Sequence, residues 1–183
     1  MRTFGVLLAA GASRRFGADD KLLANWHGTA LVQAAAQTLA RSGCEELVAV
    51  VSSRKVASLL APEFDLVFVP PNQPMSASFQ AACRFADLRG VDEILITLGD
   101  MPAVRVQTLK QLLRMGPQSR ACKSNGTPMP PAVIRRLDWQ GMLQHDGDQG
   151  ARAILAALPP NAFVTLGPDE ARDIDTLADL RGA

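Results

Sequence analysis

Short apolar runs alternate with longer stretches of helical period along this chain, and the alternation predicts its architecture. Phe4–Ala9 is apolar almost throughout and stops before Gly11, the pattern of a strand buried on both faces. Between Thr29 and Ser42, Leu31, Val32, Ala35, Ala36 and Leu39 recur at helical spacing, and Gly43 supplies a stop. Strands follow over Glu46–Val51 and Asp65–Val69, the second ended by Pro70 and Pro71. Helices are expected over Lys55–Leu60 and over Ser76–Asp87, the latter with Phe79, Ala82, Cys83 and Ala86 inward. Glu93–Leu98, "EILITL", is the clearest strand, and "GDMP" follows it at once.

The second half is less regular. Val104–Met115 has helical period through Leu109, Leu112 and Leu113. Gly116–Pro131 is rich in Gly, Pro and polar residues, with one short strand around Arg120–Lys123. A strand over Ala132–Ile134, helices near Arg135–Met142 and Ala151–Leu158, a strand over Phe163–Leu166 and a helix over Thr176–Arg181 complete the pattern. Strands alternating with helices imply an α/β fold, a mostly parallel sheet covered on both faces. In such sheets ligands collect beyond the carboxyl ends of the strands. Three loops there carry unusual residues: 10–21, 70–78 and 99–102.

Composition narrows the function classes. With 183 residues, 48% of them hydrophobic, the chain can bury the core of a single domain over residues 1–183. A net charge of +1 gives no chain-wide basic surface, so nucleic acid is not an expected partner. Cys44, Cys83 and Cys122 have no C-x-x-C spacing and read as buried thiols of a reducing compartment. His27 and His145 are too few and too far apart for a zinc site. The opening apolar run is too short for a membrane span and lacks the layout of a secretory signal. A cytoplasmic protein without a membrane partner is expected.

The loop after the first strand reads "LLAAGASRRFGADDK" from Leu7 to Lys21. It is not a P-loop, because five residues separate Gly11 from Gly17 and Lys21 falls too late. A G-x-G-x-x-G fingerprint fails at Ser13. No helix is expected straight after it, since Leu22–Trp26 is apolar and irregular, so the loop itself would wrap an anion. Glycine lets backbone N–H groups approach phosphate oxygens, and Ser13 adds a hydroxyl donor. Arg15 offers a planar fork and Lys21 a point charge. A solvated basic turn is the competing reading.

Asp100 follows the fourth expected strand directly, where it can hold magnesium with substrate phosphates or cap a helix beginning near Ala103. "DIDTLADL" adds Asp173 and Asp175. Asp175 or Thr176 could cap the last helix, and Asp173 reads as that kind of local structural residue. Trp26 is expected to pack under the loop and His27 to occupy a turn.

In order along the chain, "LAAGASRRFGADDKLL", "GDMP" and "DIDTLADL" resemble the small nucleotidyltransferases that make molybdenum-cofactor dinucleotides. Ala9–Ala10–Gly11 is similar to the Ala-Ala-Gly of the molybdenum cofactor cytidylyltransferase branch, where guanylyl-transferring relatives show Ala-Gly-Gly. "HDGDQGARAIL", His145–Leu155, resembles a Gly-Asp-x-Gly-Ala-Arg segment of the same branch. The resemblance spans nearly the whole chain. It implies a three-layer, Rossmann-like α/β/α fold and transfer of CMP from CTP to molybdopterin cofactor, with release of pyrophosphate. It implies nucleotide binding by Ala9, Ala10, Gly11, Ser13, Arg15, Gly17 and Lys21, and by Met75, Ser76 and Ser78, which match a Gly-Met-Ser-x-Ser segment. Arg15, Lys21 and Asp100 would be catalytic, Asp100 and Asp175 would hold Mg2+, and a molybdoenzyme would receive the product.

Two departures bear on specificity. Pro74 replaces the glycine before Met75, and Met129–Pro130 replaces a Gly-His pair after the Asn-Gly turn. The second puts the acceptor in question. Alternatives are therefore transfer of guanylyl, transfer to another phosphate or alcohol, and a non-catalytic protein that delivers cofactor.

Overall fold

In the computed structural model, which describes residues 1–11, 16, 20–143 and 151–181, the first strand is the axis of the molecule. All seven residues of β1 (Thr3–Ala9) are buried, as its apolar run predicts. β2 (Asn25–Trp26) and β3 (Thr29–Ala30) form a small separate hairpin. The main sheet adds β4 (Glu46–Val51), β5 (Asp65–Phe68), β6 (Glu93–Leu98), β7 (Arg120–Ser124), β8 (Thr127–Arg135) and β9 (Phe163–Thr165). Its order is β5-β4-β1-β6-β8-β7-β9, and β8 runs antiparallel to both of its neighbours while the other pairings are parallel.

Helices cover both faces: α1 (Leu31–Ala40), α2 (Arg54–Leu60), α3 (Met75–Leu88), α4 (Val106–Arg114), α5 (Arg136–Leu143) and α6 (Ala151–Ala156), with α7 (Leu177–Arg181) closing the order. Because side chains alternate along a strand, β1 feeds two cores. Leu7 and Ala9 pack with Leu31, Val32 and Leu39 of α1, Val56 of α2, and Leu109 and Leu112 of α4. Phe4, Val6 and Leu8 pack with Phe79, Ala82 and Ala86 of α3, Trp139 of α5 and Leu155 of α6. The expected three-layer, mostly parallel fold is the one formed.

Local differences have physical causes. Thr29 and Ala30 pair in the small hairpin, so α1 starts at Leu31, where Gln33 Oε1 accepts from the Ala30 amide. α4 starts at Val106 with Arg105 as its N-cap, which removes Asp100 from any capping role there. The Gly- and Pro-rich stretch after Gly116 is a long hairpin. Asn125 and Gly126 both take positive φ, 49° and 79°, the two-residue turn that an Asn-Gly pair favours. Only Ala132–Arg135 of β8 pairs with β6, whereas Thr127–Met129 pairs with β7 alone. The register jumps from Ala121–Ala132 to Cys122–Met129, so Pro130 and Pro131 form a bulge. Prolines, which cannot donate to a ladder, are tolerated there.

One buried ion pair ties β6 to β7 across β8. Arg120 and Glu93 are both almost fully buried, and Arg120 Nη1 reaches Glu93 Oε2 at 2.8 Å. Arg120 Nη2 donates to Glu93 Oε1 at 3.2 Å, and Thr3 Oγ1 donates to the same oxygen at 3.0 Å. The guanidinium also donates to the carbonyls of Leu112, Leu113 and Gln118, which pins the end of α4 to the sheet. Every polar atom here is matched, so losing one partner strands a buried charge.

Glu93→Gln should therefore lower the unfolding free energy by about 3–5 kcal/mol, measured by urea denaturation. The double variant Glu93→Leu with Arg120→Met should recover most of that loss; a further drop would contradict this account. The cysteines give a second expectation. All three thiols are free, and burial pushes Cys44 up to about 11, Cys122 up to about 12 and Cys83 higher still. Near pH ~8 the folded protein should thus resist a thiol-specific disulfide reagent, while unfolding should release all three thiols.

Candidate active site

The chain leaves β1 toward β4 and β5, then returns to place β6 on the other side of β1. This is the switch point at which open α/β sheets make a crevice. Two loops meet there. Gly99, just past β6, donates its amide to the Leu8 carbonyl at 3.0 Å. A Cβ on Gly99 would stand 3.3 Å from Leu22 Cδ2 and 3.4 Å from Ala9 Cβ, so glycine lets the loop lie against β1. The first loop ends in one 3-10 turn, Lys21–Leu23, capped by Asp20 Oδ1, which accepts from the Leu22 amide at 3.1 Å.

That turn aims Lys21 inward. Its ammonium donates to Asp100 Oδ2 at 2.7 Å and to Asp175 Oδ1 at 2.6 Å. The Lys21 side chain is 8% exposed, against 18% for Asp100 and 39% for Asp175. Burial alone would lower the Lys21 pKa, but the charges and hydrogen bonds of Asp100 and Asp175 outweigh it. The net shift is upward, and the group stays an ammonium.

Asp175 arrives from far along the chain on a segment with its own anchors. Glu170, itself buried, accepts from the Arg105 amide at 3.0 Å and from the Thr108 hydroxyl, clamping the segment to the start of α4. Ile174 is fully buried and donates its amide to the Asp100 carbonyl at 2.9 Å. Thr176, not Asp175, caps α7. Asp179 Oδ2 accepts from the Thr176 amide at 2.7 Å and Thr176 Oγ1 accepts from the Asp179 amide at 3.2 Å, a reciprocal box. The Thr176 hydroxyl, which also donates to Asp179 Oδ2 at 2.8 Å, and the Thr176 amide hold the Asp179 carboxyl below its ordinary pKa. Partial burial raises the pKa of Asp173, and the charges of Asp175 and Asp100 add to the rise.

The donor set suits a hard divalent cation that arrives with phosphates. Asp100 Oδ1 is buried and has no hydrogen-bond partner among the described residues, an acceptor left over for a cation. Among the described residues no three acidic, histidine or thiol groups converge to hold a metal by themselves. Magnesium often takes only one or two carboxylates and completes its shell with water and substrate oxygens.

The structure thus brings Lys21, Asp100 and Asp175 together. Ala9 and Ala10, both buried, and the exposed Gly11 stand at the end of β1 beside them. Ser13, Arg15, Gly17 and the segment 145–150 lie outside the described residues. Met75, Ser76 and Ser78 occupy the first turn of α3, at the same sheet edge but against the opposite face. Met75 is exposed and Ser78 buried. His27 sits in the β2–β3 turn with φ of 47°, and Trp26 packs on the core. Sequence reasoning missed the Glu170 clamp, which has no local signature, and Ser52, whose hydroxyl donates to the Ala10 carbonyl at 3.5 Å. Among the described residues no helix is long and apolar enough to cross a membrane.

Residues 5–162 match the family model of the MobA-like NTP transferase domain. Nicotine blue oxidoreductase of Paenarthrobacter nicotinovorans is 30% identical, over 96% of this chain and 93% of its own. Purine catabolism protein PucB of Bacillus subtilis is 31% identical, over 96% and 90%. Among solved structures, a nucleotidyl transferase from Methanothermobacter thermautotroptrophicus superposes with a TM-score of 0.83 at 21% identity, over 99% of this chain and 95% of that one.

If Glu170 docks the segment that carries Asp175, Glu170→Ala should cost about 1–3 kcal/mol by stranding a buried hydroxyl and amide. It should also speed hydrogen exchange of the Ile174 amide while leaving the β1 amides protected. Equal protection of Ile174 in both proteins would show that the clamp is dispensable.

Proposed function

The chain belongs to the MobA-like NTP transferase family, a nucleotidyltransferase family, and from that premise we propose that it transfers CMP from CTP to a molybdopterin-type acceptor with release of pyrophosphate. The observation that carries this reading is the Lys21 ammonium set between Asp100 and Asp175 at the ends of β1 and β6. Residues 1–183 act as one nucleotidyltransferase domain in the cytoplasm, and a molybdoenzyme takes the product.

In this mechanism the chain mainly neutralises charge and aligns the reactants. Attack of an acceptor phosphate on the α-phosphorus brings anions together, which is favourable only in a site that offsets their repulsion. Gly11, Ser13, Arg15 and Gly17 bind the triphosphate through backbone and side-chain donors. Met75, Ser76 and Ser78 border the nucleotide, and Ala9 and Ala10 leave room for the cytosine. Lys21, kept protonated by its neighbours, stabilises the departing pyrophosphate. Asp100 and Asp175 would hold Mg2+, which would supply further positive charge to the phosphates. No general base is needed, because the attacking phosphate is already ionised.

A second reading is favoured by the β7–β8 hairpin, where Met129 and Pro130 stand in place of the Gly-His pair, next to the register shift of the ladder. Such a protein would bind nucleotide and deliver cofactor without transfer. Pyrophosphate release from CTP with purified molybdopterin cofactor separates the two. Turnover is expected, and Asp100→Asn should reduce it by about a hundredfold or more. Binding and delivery unaffected by that substitution, with no pyrophosphate from any nucleotide, would favour the carrier. A larger thermal shift with GTP than with CTP would reverse the base assignment.

A further inference from the structure

We infer that Lys21 is an internal counter-ion that holds the metal position closed until a triphosphate draws it away, so that cation and nucleotide bind only together. This rests on the nucleotidyl-transfer reading and adds an order of assembly to it. Lys21 places one ammonium on both carboxylates assigned to the metal, at 2.7 Å and 2.6 Å. An ammonium in that position and a divalent cation on the same oxygens are mutually exclusive, both by volume and by charge repulsion. The lysine has the advantage while phosphate is absent. It is tethered, so its local concentration far exceeds that of dissolved metal, and magnesium gives up its water reluctantly.

A bound triphosphate reverses the balance in two ways. Its oxygens offer Lys21 another partner, and a long flexible stem lets the ammonium follow them. The same oxygens complete a shell that two carboxylates cannot. Asp100 and Asp175 then face one another without their lysine, an arrangement that favours a dication. Asp100 Oδ1, buried and without a partner among the described residues, is the ligand atom that Lys21 leaves uncovered. Linkage makes the effect reciprocal: metal bound to the carboxylates displaces Lys21 toward the phosphates and tightens nucleotide binding by the same factor.

Electron paramagnetic resonance of Mn2+ tests this without turnover. Wild-type protein should show no saturation with Mn2+ alone below about 1 mM, as expected of a weak oxygen site. Lys21→Gln should bind Mn2+ alone at least about tenfold more tightly, within the usual range of coupling between linked sites. Lys21→Arg, which keeps the charge, should stay as weak as wild type. Unchanged or weaker Mn2+ binding by a folded Lys21→Gln would overturn the inference. So would saturation of wild type well below about 0.1 mM without nucleotide, a result that needs no variant. Failure of wild type to bind Mn2+ together with CTP would instead sink the nucleotidyl-transfer reading, whatever Lys21→Gln does with Mn2+ alone.

Discussion

Two carboxylates brought to one place need a cation, and Lys21 supplies it between Asp100 and Asp175. The three residues come from the loop after β1, the loop after β6 and the segment before α7. Bringing them together requires β1 and β6 to be neighbours in parallel register, with Phe4 opposite Ile94 and Leu8 opposite Leu98. It also requires the last segment to fold back under Glu170 and Ile174. Hydrophobic burial of β1 on both faces fixes the first condition. Polar clamps fix the second. The charged triad is thus the point at which the core and the chain's late segment are jointly constrained.

The parts legible in the sequence are those governed by local pattern. β1, β4 and β6 are short apolar runs bounded by turn residues, and α1, α3 and α4 repeat at helical spacing, so their places were readable to within two residues or so. Lys21 and Asp100 were readable as residues that follow strands of a mostly parallel sheet, whereas Asp175 was set apart from a capping role only by the family resemblance. The β7–β8 hairpin was only half legible. Its Asn125–Gly126 turn is a strong local signal, but three prolines in β8 argue against a strand until the bulge and the missing β6 partner are known. Glu170 was invisible, since it acts through Arg105 and Thr108, which are distant in sequence.

The hairpin also bears on the acceptor. β7 runs in the direction of β6, so Lys123, Ser124 and the turn at Asn125 stand at the edge of the sheet where the site lies. Thr127–Met129 extends beyond the stretch that β6 can pair, as a two-stranded flap beside the crevice. Met129 lies opposite Cys122 and packs on the core, so this residue serves the hairpin's own stability. In the proposed transfer reaction, acceptor recognition falls to the residues around this hairpin.

β6 shows how the same chemistry is put to two uses. At its amino end Glu93 has both oxygens occupied, by Arg120 and Thr3, and almost no solvent contact. Nothing can reach it without breaking the fold, and its charge serves stability and register alone. Just beyond its carboxyl end Asp100 has one oxygen on a lysine that a flexible stem can withdraw, and the other oxygen unmatched among the described residues. The net cost of an unsatisfied buried acceptor is of order 1–3 kcal/mol, a cost that selection for stability alone would remove. An ion pair completed at every atom is architecture; an ion pair left open at one atom, in a crevice, with a movable partner, is a site built to exchange that partner for another cation.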